Sequence, residues 1–159
     1  MRLLLLFIPL LAFISCGPKG PEHRYTVQNL LLPLEPPLTE RVVQSRAIRL
    51  LGRPFDGSID LKSIYLYSAE IGNPDFPNLN FAKKIRLSLV DPDGKIIPIA
   101  DSAPIPRDLA TITLIPAGRP DIVRMFQQQK LDLLLEVDNT LVSDQGVMLI
   151  GNFEFAYTY

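Results

Sequence analysis

Strict alternation of apolar and polar residues narrows the possible folds of this chain more than any other feature. From Lys130 to Val137, the residues Leu131, Leu133, Leu135 and Val137 share one parity against Asp132, Leu134 and Glu136. A β-strand turns successive side chains to opposite faces, so period 2 sends one row to a core and the other toward water. Leu79 to Val90 repeats the pattern, with Phe81, Ile85, Leu87 and Leu89 on one face and Lys84, Arg86 and Ser88 on the other. A last strand places Val147, Leu149, Phe153, Phe155, Tyr157 and Tyr159 on its inward parity. Asp91-Pro92-Asp93-Gly94, followed by Lys95-Ile96-Ile97-Pro98-Ile99, has Asp first, Pro second and Gly fourth. That order suits a type I turn with a left-handed glycine, and so a hairpin.

Weaker signals fill in the rest. Ser58 to Ile71 reads as a strand, with Leu61, Tyr65, Tyr67 and Ile71 on the principal inward parity and Ile64 and Leu66 opposite. Leu109 to Ile115 is rich in β-branched residues and reads as another. Pro120 to Gln129 predicts a short amphipathic helix carrying Ile122, Met125 and Phe126 at i, i+3, i+4. Residues 38–51 fit a helical turn capped by Thr39 that leads into a strand over Ala47 to Leu51. Tyr25 to Leu32 is a strand that Pro33, Pro36 and Pro37 confine to a sheet edge or a crossing point. Together these elements predict a mainly β protein, an antiparallel β-sandwich with one short helix, occupying residues 24–159 as a single domain.

The first 15 residues have a different character. Arg2 precedes the apolar run Leu3 to Ile14, which is too short to span a membrane, and Ser15 and Cys16 follow. This order is that of a secretory signal peptide. Phe13-Ile14-Ser15-Cys16 resembles the lipobox of bacterial lipoproteins, with Phe13 where leucine is usual. The resemblance implies cleavage between Ser15 and Cys16, lipidation of Cys16, and anchoring in the bacterial cell envelope by two or three acyl chains. With Gly17 rather than aspartate after the cysteine, it further implies the outer membrane in a Gram-negative host. Residues 16–23, ending Gly17-Pro18-Lys19-Gly20-Pro21-Glu22-His23, then form a flexible tether.

Removing the first 15 of 159 residues leaves 144, enough for one domain with a sizeable core. Cys16 is the single cysteine, so a thioether there leaves no thiol for a disulfide. Basic and acidic residues are nearly balanced and interspersed, which disfavours nucleic acid as a partner. Asn80 to Leu89 followed by Pro98-Ile99-Ala100 looks like small bacterial envelope lipoproteins with one β-sandwich domain, a resemblance of strand patterning that implies no chemistry.

No catalytic set assembles along the sequence. His23, the sole histidine, falls in the tether, where nothing rigid holds it beside a nucleophile. Asp91 and Asp93, or Asp138, Asn139 and Asp144, offer oxygen ligands for calcium, yet neither loop alone supplies the six or so that calcium takes, and Asp and Asn at turns have a simpler conformational reason. A carboxylate pair for glycoside hydrolysis has no support in the spacing. The closing aromatics resemble the last strand of an outer-membrane barrel, but Pro33, Pro36, Pro37, Pro74, Pro77, Pro98, Pro104 and Pro106 favour a core strand instead. The sequence therefore predicts a membrane-anchored, non-enzymatic interaction or structural module that needs no cofactor and has an envelope protein as its possible partner. The alternative is a carrier holding a lipid or other apolar ligand between the sheets.

Overall fold

The computed structural model describes residues 21–50, 55–75, 78–139 and 142–159. Its strands are β1 (His23–Leu34), β2 (Arg41–Arg49), β3 (Ser63–Gly72), β4 (Ala82–Val90), β5 (Ile96–Asp101), β6 (Thr111–Pro116), β7 (Lys130–Asn139) and β8 (Val147–Thr158). One antiparallel sheet contains all eight in the order β1-β8-β3-β6-β5-β4-β7-β2 and is nearly closed into a barrel. Strand β6 divides its pairing between two neighbours: Thr111 to Leu114 pair with β3, while Ile115 and Pro116 pair with β5. Among the described residues the one helix, α1, is Val123–Phe126.

The alternating segments form strands as expected. Leu131, Leu133, Leu135 and Val137 on β7 lie buried against Ile85, Leu87 and Leu89 on β4. Phe153, Phe155 and Tyr157 on β8 are also buried, while Tyr159, beyond the strand, is exposed. The hairpin forms at Asp91 to Gly94: the Asp91 carbonyl accepts from the Gly94 N–H at 2.9 Å, and Gly94 has φ +82°. Asp91 Oδ1 also accepts from the N–H groups of Asp93 (2.9 Å) and Lys95 (2.7 Å). Strand β1 is an edge strand containing Pro33, a position where a missing N–H is tolerated.

Three local expectations are corrected. Residues 41–49, expected to begin as a helical turn, are strand throughout, paired with β7 from Arg41↔Asp138 to Arg49↔Lys130. Their alternation is hidden because the row Val42, Gln44, Arg46, Ile48 buries only Ile48, and polar inward positions are a common protection for an edge. The helix expected over residues 120–129 shrinks to four residues. Gln127 makes an i→i−4 bond to Val123, but Gln128 and Gln129 bond three residues back, and Gln129 turns left-handed at φ +56°. Its apolar edge behaves as expected, with Ile122, Met125 and Phe126 buried.

The third correction concerns β3, where a bulge between Leu66 and Ser68 breaks the parity. Ile64 and Leu66 face inward before it, Ala69 and Ile71 after it, and Tyr67 is pushed out to 50 % exposure. Extra residues in a bulge shift every later side chain to the other face.

Aromatic rings fill the end of the core nearest α1. Tyr25 meets Phe55 edge-on at 4.6 Å, Phe55 lies 5.4 Å from Phe126, and Phe126 meets Phe155 edge-on at 4.9 Å. Such packing occupies the space between inward faces with side chains.

Candidate functional site

Three strands that are distant in sequence build a polar groove on the outer face. Strand β8 is central, with Glu154 opposite Thr26 of β1 and Ser68 of β3, and Asn152 opposite Glu70 of β3. The β3 bulge flanks the groove on one side. On the other, the β1 register shifts between Val27 and Leu30, leaving Gln28 and Asn29 out of the ladder with β8. Asn29 is left-handed at φ +53°, and its N–H donates to Asn152 Oδ1 at 2.9 Å. Bulges on both sides of a common strand give the face its concavity, a volume of about 430 Å³ lined by Thr26, Gln28, Ser68, Glu70, Asn152 and Glu154 among others.

One end of the groove is rigidified by charge. Arg24 Nη2 reaches Glu22 at 2.9 Å, and its Nε lies 3.8 Å from Glu154. The same guanidinium lies 3.3 Å from the centre of the Tyr67 ring. Tyr65, one row away, donates its hydroxyl to Glu22, and Arg119 covers its ring at 4.1 Å. The hydrogen bond to Glu22, helped by burial, raises the Tyr65 pKa above its ordinary value. Glu22 thus links the start of the described chain to Arg24 and Tyr65.

His23, assigned by sequence to the tether, is the first residue of β1. Its ring stacks on Tyr157 (5.4 Å) and Tyr159 (4.8 Å), and its buried Nε2 has no hydrogen-bond partner among the described residues. Burial, followed by the neighbouring Tyr159, pushes the Tyr157 pKa up.

Ser15, Cys16 and the whole predicted signal peptide lie outside the described residues. The calcium candidates are scattered. Asp91 and Asp93 occupy the β4–β5 hairpin, where Asp91 is engaged by backbone N–H groups. Asp138 and Asn139 end β7; Asp138 pairs with Arg86 at 2.9 Å, and Asn139 donates to the Thr39 carbonyl at 2.7 Å. Asp144 lies in the following loop. Among the described residues, no three His, Cys, Asp or Glu side chains converge as a metal site.

The face across the sheet carries an ion-pair lattice instead. Glu136 on β7 binds both Arg41 on β2 and Arg86 on β4, and Lys84 meets Asp101 at 2.7 Å. The bonds to Asp138 and then Glu136 raise the Arg86 pKa against the opposing cost of burial. The lattice borders a shallow depression of about 520 Å³. Its members satisfy one another, whereas Thr26, Gln28 and Glu70 line the outer groove.

Sequence reasoning missed the groove. Its lining comes from residues 26–29, 68–70 and 152–154, and only the bulges bring these segments into one concavity. Comparison with protein-family models and with curated proteins finds no match to this sequence. No described helix is long and apolar enough to cross a membrane.

Proposed function

We propose that this chain is a lipid-anchored module of the bacterial cell envelope that works by binding rather than catalysis. The observation that carries the reading is Phe13-Ile14-Ser15-Cys16, placed directly after a basic residue and a short apolar run. Acylation of Cys16 holds the domain at a bilayer, and anchoring raises the local concentration of its outer faces near a partner. The contacts of Glu22 with Arg24 and Tyr65 support this, because only residues 16–21 then separate the acyl chains from a residue bonded to the domain. At the extended limit of about 3.5 Å per residue, that span is roughly 20 Å. We read the finer architecture as a sandwich, with β1-β8-β3 and β5-β4-β7-β2 as layers joined through β6. The free edge of β1, where Leu31 is exposed, suits docking of a protein strand.

Metabolic labelling with radioactive palmitate in a bacterial host tests the anchor. Wild type takes up label and sediments with membranes, and Cys16→Ala does neither. Undiminished labelling of Cys16→Ala overturns the reading.

A further inference from the structure

We propose that the outer groove between β1, β8 and β3 is a glycan-binding site. Its chemistry selects against the other ligand classes. Glu70 and Glu154 repel phosphates and other anions, and an acyl chain would strip water from the hydroxyls, amides and carboxylates that make up most of the lining. A sugar chain fits both features. Each of its hydroxyls donates and accepts, so adjacent hydroxyls donate to the Glu70 carboxylate and accept from Thr26 and Gln28. Carboxylates bound to neutral hydroxyls form charge-assisted hydrogen bonds, stronger than neutral ones.

The groove is also built for fixed geometry. The left-handed Asn29 is an uncommon backbone state, held by its bond to Asn152, and strain of this kind concentrates at binding sites. Tyr67 adjoins Ser68 of the lining at the β3 bulge. Its ring is half-exposed and stacks against the Arg24 guanidinium. A restrained aromatic ring offers a flat surface to the C–H face of a pyranose at little entropic cost. The volume of about 430 Å³ suits two or three sugar units rather than a buried small molecule.

This assignment rests on the groove and does not require Cys16 to be acylated. The test uses the full chain in a detergent without a sugar headgroup, titrated calorimetrically with chitotetraose, maltotetraose and spermine. At least one of the two oligosaccharides binds saturably, and spermine does not compete. Glu70→Ala weakens that binding about tenfold, and Tyr67→Ala about fivefold, from loss of a charge-assisted hydrogen bond and of stacking. Glu70 is exposed on a strand surface, and unchanged thermal melting of both variants verifies that they fold. Absence of binding by both oligosaccharides overturns the proposal. Tight binding of spermine alone makes the groove a cation site and overturns it as well, as does oligosaccharide binding that neither substitution weakens. Palmitate labelling is read separately, so failure of the glycan site and failure of the anchor are distinguishable.

Discussion

Gly151→Ala adds one methyl group and should cost the domain about 1–2 kcal/mol. Gly151 sits in the middle of β8, buried, between Leu30 of β1 and Ile71 of β3. Its φ lies outside the left-handed region, so alanine meets no backbone penalty there. Space is what opposes it. An added Cβ would stand 2.5 Å from Phe153 Cζ, 2.7 Å from Phe153 Cε2 and 3.1 Å from Leu32 Cδ1. Carbon atoms prefer about 3.5–4.0 Å, so the ring must retreat by about 1 Å. Phe153 is only 2 % exposed, and the ring has no route to solvent. Overpacking of this sort costs about 1–3 kcal/mol, while replacing glycine regains about 0.4–1 kcal/mol from a stiffer unfolded chain, so the clash wins. For a domain of this size, the melting temperature should fall by about 4–8 °C. Calorimetry of four proteins (wild type, Gly151→Ala, Phe153→Leu and the double variant) closes the cycle. In the Phe153→Leu background the added methyl should cost nothing. An equal cost in both backgrounds would show that the Phe153 ring does not occupy the space above Gly151.

Other consequences are as direct. Gly94→Ala should lower stability by about 1 kcal/mol through backbone strain alone, because nothing lies within 4 Å of the added Cβ; an unchanged urea midpoint would refute the left-handed turn. Asp91→Ala removes the acceptor of two backbone N–H groups and should cost about 1 kcal/mol, with Asp91→Asn recovering part of it in the same urea assay. Glu136→Ala leaves Arg41 and Arg86 facing each other and should destabilise by about 1 kcal/mol in dilute buffer. That deficit should shrink in 1 M salt, where screening falls to about 3 Å; a salt-independent deficit would point to packing instead. Tyr65 has a folded pKa above its ordinary 10.0, so the stability it supplies is full below pH 10 and lost as pH rises through the folded value. The gap in urea midpoint between wild type and Tyr65→Phe should therefore be widest below pH 10 and shrink as pH rises above it; a constant gap would rule out the Glu22 bond as its source.

Where the structure followed from sequence, the determinants were local. The hairpin at Asp91 to Gly94 needs only four residues, and its carboxylate, proline and glycine each have a conformational role within them. Strand β7, the inner part of β8 and β4 from Ile85 onward bury one face against neighbours, so the alternation survives there. Before Ile85, a register shift at Ala82 to Lys84 turns Ala82 inward and leaves Phe81, expected inward, only partly buried. Strand β2 hid because an edge leaves Gln44 and Arg46 on the parity of Ile48, and polar residues there erase the period. In β3, Tyr65 and Tyr67 look alike in sequence, yet one extra residue at the bulge separates a covered ring from an open one. The short α1 was over-extended because Ile122, Met125 and Phe126 need just one turn to reach the core, and nothing in their spacing says where the turn stops. The groove was illegible for a different reason. Asn29, Glu70 and Asn152 are unremarkable singly, and their proximity is a property of strand order.

Strand order also sets a schedule for assembly. The last of the eight strands lies between the first and the third, and the seventh lies between the second and the fourth. During vectorial synthesis, β1, β2, β3 and β4 all emerge before the neighbours that join them, so the N-terminal half cannot fold while the C-terminal half is still on the ribosome. Closing such distant pairings is slow, because the entropy of each large loop is lost before its contacts form. A chain that must wait for its final strand stays without its native sheet until synthesis ends.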